Sequence, residues 1–266
     1  MPRALVTGST AGIGAAFARR LAADGYDLVV VARDEPRLVQ QAQDLEQRHG
    51  NELEVLAADL STDEGCGRVE ARLRAGGAGT GAAGGIDLLV NNAGFGTNGP
   101  LHTIDIAQEE SMLRVNVRAV MRLTAAVLPG MVTAGAGEII NVSSFAGLVP
   151  SAGAATYAAG KAYVTALSEG LAMQYASHGI RVTAVCPGFT HTEFHARSGS
   201  AVQGIPERMW LSVDQVVDAA LTDLRRGRAV SIPGGVYKSL AGVTHVLPRR
   251  VLAEVGRRAR SRRGRP

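Results

Sequence analysis

The chain has 266 residues (27.6 kDa), of which 46% are hydrophobic and 20% charged; this balance excludes a disordered chain and allows a sizeable core. The formal net charge of +4 is uneven: residues 249–266 carry eight arginines against Glu254, or +7, which leaves −3 on the rest. The basic character therefore belongs to the tail and does not mark the body as a nucleic-acid binder. Two cysteines, Cys66 and Cys186, cannot build a disulfide framework, which points to a reducing, cytoplasmic setting. Residues 1–8 hold too few apolar side chains for a signal peptide. The longest uncharged stretch, 139–160, contains Asn141, Ser143, Ser144, Pro150 and several glycines, so it does not suit a bilayer-spanning helix.

The predicted elements alternate along the chain. Ala4-Leu5-Val6 is a short strand running into a glycine-rich turn, followed by a helix through Ala16 to Ala23 that Gly25 stops. Leu28 to Val31 is a β-branched run suited to a buried parallel strand. A polar helix from about Asp34 to His49 turns Leu38 and Leu45 inward, and Glu54 to Ala57 and Ile86 to Val90 give the next strands. Between these two strands, 76–85 holds six glycines in ten residues and reads as a surface loop. Glu138 to Val142 and Ile180 to Val185 follow long helical segments, and Ala229 to Ile232 closes the set. Ser212 and Gln215 form a capping box that opens a helix to about Arg226. Repeated strand–helix–strand units imply a doubly wound α/β fold: a parallel sheet of about seven strands with helices on both faces.

Two constellations carry chemistry. The first turn, Thr7-Gly8-Ser9-Thr10-Ala11-Gly12-Ile13-Gly14, joins a strand to a helix, where glycines bring backbone N–H groups close to a diphosphate. Such turns also occur merely for packing. Ser144 is followed thirteen residues later by Tyr157 and four later by Lys161. On a helix the tyrosine and lysine share one face, and a nearby cation favours the phenolate, pulling its pKa down toward a usable acid/base. A Tyr-x-x-x-Lys pair also arises by chance on exposed helices.

Together these motifs resemble the short-chain dehydrogenase/reductase family over about residues 3 to 236. The turn Thr7-Gly8-x-x-x-Gly12-x-Gly14 looks like its cofactor turn, and Asn91-Asn92-Ala93-Gly94 matches its motif after the fourth strand. Asn116 falls at the family's fourth catalytic position; Ser144, Tyr157 and Lys161 match its serine and Tyr-x-x-x-Lys pair; Pro187-Gly188-x-x-x-Thr192 matches the motif after the sixth strand. The resemblance implies a Rossmann-type fold and hydride transfer between a nicotinamide and a ketone, aldehyde or secondary alcohol. It implies that Tyr157 gives or takes the proton, that Lys161 lowers the tyrosine's pKa and holds the nicotinamide ribose, that Ser144 holds the substrate oxygen, and that Asn116 anchors a relay water. Ser143 has the same chemistry as Ser144, but the spacing to Tyr157 favours Ser144. Gly160 departs from the family's usual serine. The dinucleotide is expected against Gly8, Ser9, Thr10, Gly12, Ile13, Gly14, Asp59, Leu60, Asn92, Ala93, Gly94, Tyr157, Lys161, Pro187, Gly188, Thr190 and Thr192.

Cofactor choice is read at the end of the second strand, where Ala32 occupies the position of the acid that NAD enzymes carry and Arg33 follows, favouring NADP(H). Asp34 is adjacent and Ala11 lacks the family's other basic marker, so NAD(H) stays open. The expected activity is an NADP-dependent carbonyl reductase, with an NAD-linked oxidative dehydrogenase and a non-catalytic cofactor-sensing regulator as rivals. Phe95, Phe194 and Trp210 suggest a partly apolar substrate pocket shaped by the loop from Phe189 to Leu211. His191 and His195 in that loop lack a metal-site order, so no metal is expected. The division expected is a catalytic domain over 1–236 and a helical, arginine-rich extension over 237–266. Its tail is read as a solvated end, with weak membrane-surface contact as the next reading and nucleic-acid binding last. The resemblance also implies a homo-oligomer, tetramer or dimer, through the helices carrying Asn116 and Tyr157, where Ala119, Ala125, Ala162, Ala166 and Ala172 offer small surfaces.

Overall fold

A computed structural model describes residues 1–75, 84–149, 153–198, 204–246 and 250. Most of the glycine-rich stretch and the arginine-rich tail lie outside the described residues. Seven strands, β1 (Arg3–Thr7), β2 (Asp27–Ala32), β3 (Leu53–Ala57), β4 (Leu88–Asn91), β5 (Gly137–Val142), β6 (Ile180–Val185) and β7 (Val230–Ser231), form one parallel sheet in the order β3-β2-β1-β4-β5-β6-β7. The central strands read as unbroken apolar runs because both of their faces are covered. Successive residues alternate between two cores. Ala4, Val6, Leu28 and Val30 face helices α1 (Gly12–Ala23), α2 (Glu35–His49) and α8 (Val213–Arg225). Leu5, Val29, Val31 and Leu89 face α3 (Asp63–Ala75), α5 (Val120–Ala134) and α6 (Ala155–Tyr175).

Local signals set the helix boundaries. Asp34 caps α2 by accepting from Arg37 N at 3.2 Å, and Ser212 and Gln215 close the expected capping box on α8. A short helix, α4 (Ile106–Leu113), runs through a π-helical turn at Arg114–Ala119 directly into α5. The whole run Ile106–Ala134 is long and apolar enough to cross a membrane by length and composition. In the fold, Met112, Val115, Ala119, Leu123, Val127 and Met131 are buried, so it packs as a core helix. After the four-residue helix α7 (Phe194–Arg197), the last described helix is α9 (Gly235–Val246). It spans the division expected after residue 236 and is anchored in the body: Tyr237 and Ala241 are buried, and Tyr237 joins the first core. The opposite face of α9 leaves Val236, Leu240 and Val243 exposed.

The chain reverses direction across the sheet between β1 and β4, and the crevice outside the carboxyl ends of these strands is where such folds bind ligands.

Candidate active site

The turn after β1 has the shape of a dinucleotide cradle. Gly8 and Gly12 adopt φ of 65° and 54°, in the left-handed region open to glycine. A Cβ on Gly14 would lie 2.2 Å from the Gly8 carbonyl oxygen, so only glycine lets the helix start this close to the strand. No side chain caps the N-terminus of α1 at Ala11, which leaves its first N–H groups and the positive end of the helix turned to the crevice. Among the described residues, the buried Ser9 Oγ and Gln41 Oε1 have no hydrogen-bond partner. These features fit a bound diphosphate and its ribose.

β4 delivers the next wall. Thr7 Oγ1 accepts from Asn92 N at 2.9 Å and from Ala93 N at 3.0 Å, and Asn92 Nδ2 donates to the carbonyls of Thr7 and Gly8 at 2.9 and 3.1 Å. The Asn-Asn-Ala-Gly segment is thereby tied to the glycine turn. Thr192, from the segment after β6, closes over the turn: its Cγ2 stands 3.0 Å from where a Gly12 Cβ would be. Asp59 makes an Asx turn onto Ser61 N and Oγ at 2.9 and 2.7 Å, and Leu60 beside it is buried. At the end of β2, Arg33 is exposed and has no ion-pair or hydrogen-bond partner among the described residues, whereas Asp34 is engaged as the α2 cap.

Asn116, Ser144, Tyr157 and Lys161 converge where these walls meet. Ser143 and Ser144 part company: Ser143 Oγ turns into the core and donates to Lys161 O at 2.8 Å, while the Ser144 hydroxyl acts on the Tyr157 phenol, opposing the rise of its pKa. Ser144 Oγ also accepts from Ala146 N at 3.1 Å. Lys161 Nζ lies 5.8 Å from the centroid of the Tyr157 ring and donates to Val142 O at 2.8 Å. Gly94 permits the convergence, since a Cβ there would meet Asn116 Oδ1 at 2.8 Å and Lys161 Nζ at 3.6 Å. The Asn116 amide holds the Phe95 backbone with both of its ends, accepting from Phe95 N at 3.1 Å and donating to Phe95 O at 2.8 Å. It sits on the π-helical turn, a distortion often found at functional sites.

Burial governs the electrostatics. It pushes the Tyr157 hydroxyl up to about 12, with the Ser144 hydrogen bond opposing it, and pulls Lys161 down to about 8. Lys161 is not among the causes of the tyrosine's shift, so the lowering expected from the sequence does not enter here. Tyr157 is half-buried, open on one side to the crevice, and the ammonium of fully covered Lys161 is directed at the Val142 carbonyl.

The two aromatic expectations separate. Phe194 lies against Tyr157 with centroids 5.8 Å apart, whereas the half-buried Phe95 side chain packs on the second core and its backbone bonds Asn116. Pro187 O accepts from Phe145 N at 2.9 Å, and Thr190 Oγ1 donates to Gly188 O at 3.0 Å, folding the post-β6 segment over the site. Tyr237 bridges this segment, accepting from Phe189 N at 2.9 Å and donating to Met209 O at 2.7 Å. Sequence reasoning missed Gln41, whose Nε2 donates to Ser9 O at 2.8 Å. Its signal was a polar residue inside the Leu38–Ala42–Leu45 stripe. It also missed the buried chain Asn91–Asn141–Ser168 (2.9 and 2.9 Å), which has no local signal.

Comparison with known proteins agrees with this geometry. The short chain dehydrogenase family pattern matches residues 2–203. A very-long-chain 3-oxoacyl-CoA reductase from Anas platyrhynchos is 36% identical over 194 residues, 71% of this chain and 60% of that protein. This chain thus spans about three fifths of the length of that relative. Sulfoacetaldehyde reductase 2 from Chromohalobacter salexigens is 36% identical over 192 residues, 71% of this chain and 73% of that one. Among solved structures, a short-chain dehydrogenase from Sphingobium yanoikuyae in complex with NADPH is 38% identical with a TM-score of 0.82, covering 92% of this chain and 94% of that one. The bulky-bulky ketone specific alcohol dehydrogenase from Comamonas testosteroni is 32% identical with a TM-score of 0.77, covering 94% and 96%. The chain belongs to the short-chain dehydrogenase/reductase family, NAD(P)-linked oxidoreductases of carbonyl and alcohol substrates.

Proposed function

We propose that the protein is a carbonyl reductase that uses NADPH in preference to NADH. The observation that carries this reading is the Tyr157 hydroxyl, on a ring whose centroid lies 5.8 Å from the buried Lys161 Nζ, pushed by burial well above neutrality. A phenol that keeps its proton at pH 7 is a proton donor, the role that carbonyl reduction requires. When bound, the nicotinamide supplies the hydride. Ser144 orients the carbonyl oxygen toward the phenol, Tyr157 donates the proton to it, and Lys161 sets a positive charge beside the new phenolate. Asn116 fixes the Phe95 backbone under the site, holding Gly94 and Lys161 in register. Arg33, without a side-chain partner among the described residues, suits the 2′-phosphate of NADPH, and the similar Sphingobium yanoikuyae structure contains NADPH.

A panel of ketones and aldehydes assayed with both cofactors tests the reading. Turnover with NADPH should exceed that with NADH, and Tyr157→Phe should lower kcat by about 10²–10⁴-fold while NADPH binding, read by nucleotide fluorescence, stays near wild type. Near-normal turnover in that variant would remove Tyr157 as the donor. NADPH binding with no turnover of any carbonyl or alcohol would instead indicate a cofactor-sensing protein. We further propose a homo-oligomer, a tetramer or dimer, joined through the outer faces of α5 and α6, which expose Met121, Tyr163 and Met173.

A further inference from the structure

The loop that leaves β6 is closed at its base. Thr190 and Leu211 form an isolated bridge, His191 N donates to Leu211 O at 3.0 Å, and Leu211 N donates to Phe189 O at 2.8 Å. On that base Phe189, His195 and Trp210 stand in mutual contact, with centroids 5.4 to 5.7 Å apart. His191 stacks on Trp210 at 4.7 Å, and its Nε2 lies 3.2 Å from Glu207. Burial lowers the His195 pKa, so the ring is neutral at neutral pH and the cluster is uncharged on its inner side.

Phe194 projects from this cluster, edge-on to His195 at 5.5 Å and 89°, and ends against the ring of Tyr157. The opposing backbone makes room for it. A Cβ on Gly96 would lie 2.9 Å from Phe194 Cζ and 3.4 Å from its Cε1. Gly96 is buried, and the space its missing side chain leaves is taken by the tip of Phe194, with Ser198 Cβ beside it at 3.3 Å. A carbonyl whose oxygen reaches Tyr157 and Ser144 must lay one substituent beside this ring. There a flat apolar group gains ring contact. A hydroxyl or charge there would lose water without a partner.

We propose that Phe194, seated in the notch left by Gly96 and braced by His195 and Trp210, is the specificity-determining wall of the carbonyl site, selecting substrates with a flat, uncharged substituent over polyhydroxylated or anionic ones. The inference rests on the reading of Tyr157 as the proton donor, because that reading fixes where the carbonyl sits.

The test compares acetophenone, acetone, a ketohexose and levulinate in wild type, Phe194→Ala, Gly96→Ala, the double variant and Phe194→Leu, which keeps bulk but not flatness. Trp210 is the chain's single tryptophan, so its emission also reports ketone binding without turnover. Wild type should favour acetophenone over the ketohexose and levulinate. Phe194→Ala should lose at least tenfold in kcat/KM for acetophenone, mostly through KM, with little change for acetone and a matching loss of affinity by Trp210 emission. Phe194→Leu should fall between the two. Gly96→Ala should lose in the same direction by displacing the ring, and the double variant should be no worse than Phe194→Ala. An unchanged acetophenone-to-acetone ratio in Phe194→Ala, or losses that multiply in the double variant, would overturn the proposal. So would a wild type that turns over carbonyls without regard to substituent, which would leave the reductase reading intact. A wild type that reduces none of a broad carbonyl panel would overturn the reductase reading itself, and the inference with it.

Discussion

Lys161 and Tyr157 share one helix face and one desolvated pocket, yet burial moves them in opposite directions, down to about 8 and up to about 12. Between about pH 8 and 10.5 the unfolded chain still holds the lysine proton that the folded protein has released, so the stability contributed by Lys161 rises with pH across that window. Below it the ammonium is charged in both states, and its buried charge weighs against the fold in full. Denaturation of the protein without added cofactor, wild type against Lys161→Met, should show the difference shifting in favour of wild type from pH 8 to 10; a flat difference would mean that the ammonium is not desolvated. Arg33 acts at the same scale from the other end of the crevice. With Asp34 committed to capping α2, the guanidinium stands free for a phosphate, and Arg33→Ala should raise KM for NADPH about tenfold or more while moving that for NADH little. Equal changes for both cofactors would place Arg33 away from the ribose.

Among the elements, α9 does more than its sequence announces, because the Tyr237 hydroxyl joins the substrate loop at Phe189 N and Met209 O while the ring sits in the core. Tyr237→Phe keeps the ring and leaves a backbone donor and an acceptor without partners, so unfolding in urea should show a loss of about 1–3 kcal/mol. A loss within a few tenths would mean that water replaces the hydroxyl. Nothing near residue 237 in the sequence points to Phe189, 48 positions away, and separations of 50 and 27 positions hide the Asn91–Asn141–Ser168 chain. What was legible obeys short-range rules, as in the β-branched strands and the Ser212–Gln215 cap, whereas the preference for Ser144 over Ser143 came from the family resemblance. The π-helical turn under Asn116 has no such rule, since its hydrogen bonds depend on how α4 and α5 pack. Phe95 misled for a related reason: its side chain packs on the second core, a long-range contact that its neighbours in sequence do not announce. Gly160 reads in sequence as a helix weakness of about 1 kcal/mol. In the fold, a Cβ there would stand 3.1 Å from Val117 Cγ2, so its absence lets α6 lie close to the segment carrying Asn116.

For the whole molecule, the two cores consume most large apolar side chains, and three of those left exposed lie on α5 and α6, the helices expected to join copies of the chain. Of the small residues expected to line a helix interface, Ala119 is buried within its own subunit, Ala162 and Ala172 are partly covered, and Ala125 and Ala166 are exposed. Around them Met121 on α5 and Tyr163 and Met173 on α6 keep 44%, 40% and 78% of their surface accessible, on helices whose opposite faces already fill the second core. Small side chains beside exposed apolar ones suit close helix packing between copies, and a closed two-fold arrangement would bury the same patch from both sides. Light scattering at micromolar concentration should therefore give a dimer or tetramer mass. Ala166→Glu, which places a charge on this surface without touching the buried side of α6, should lower that mass while circular dichroism shows the helices retained. A monomeric wild type would refute the assembly, and an Ala166→Glu protein of unchanged mass would move the interface away from α6. Because α6 also carries Tyr157 and Lys161, the dissociated variant offers a second reading: if the interface steadies that helix, kcat should fall with the mass while KM for NADPH stays near its wild-type value.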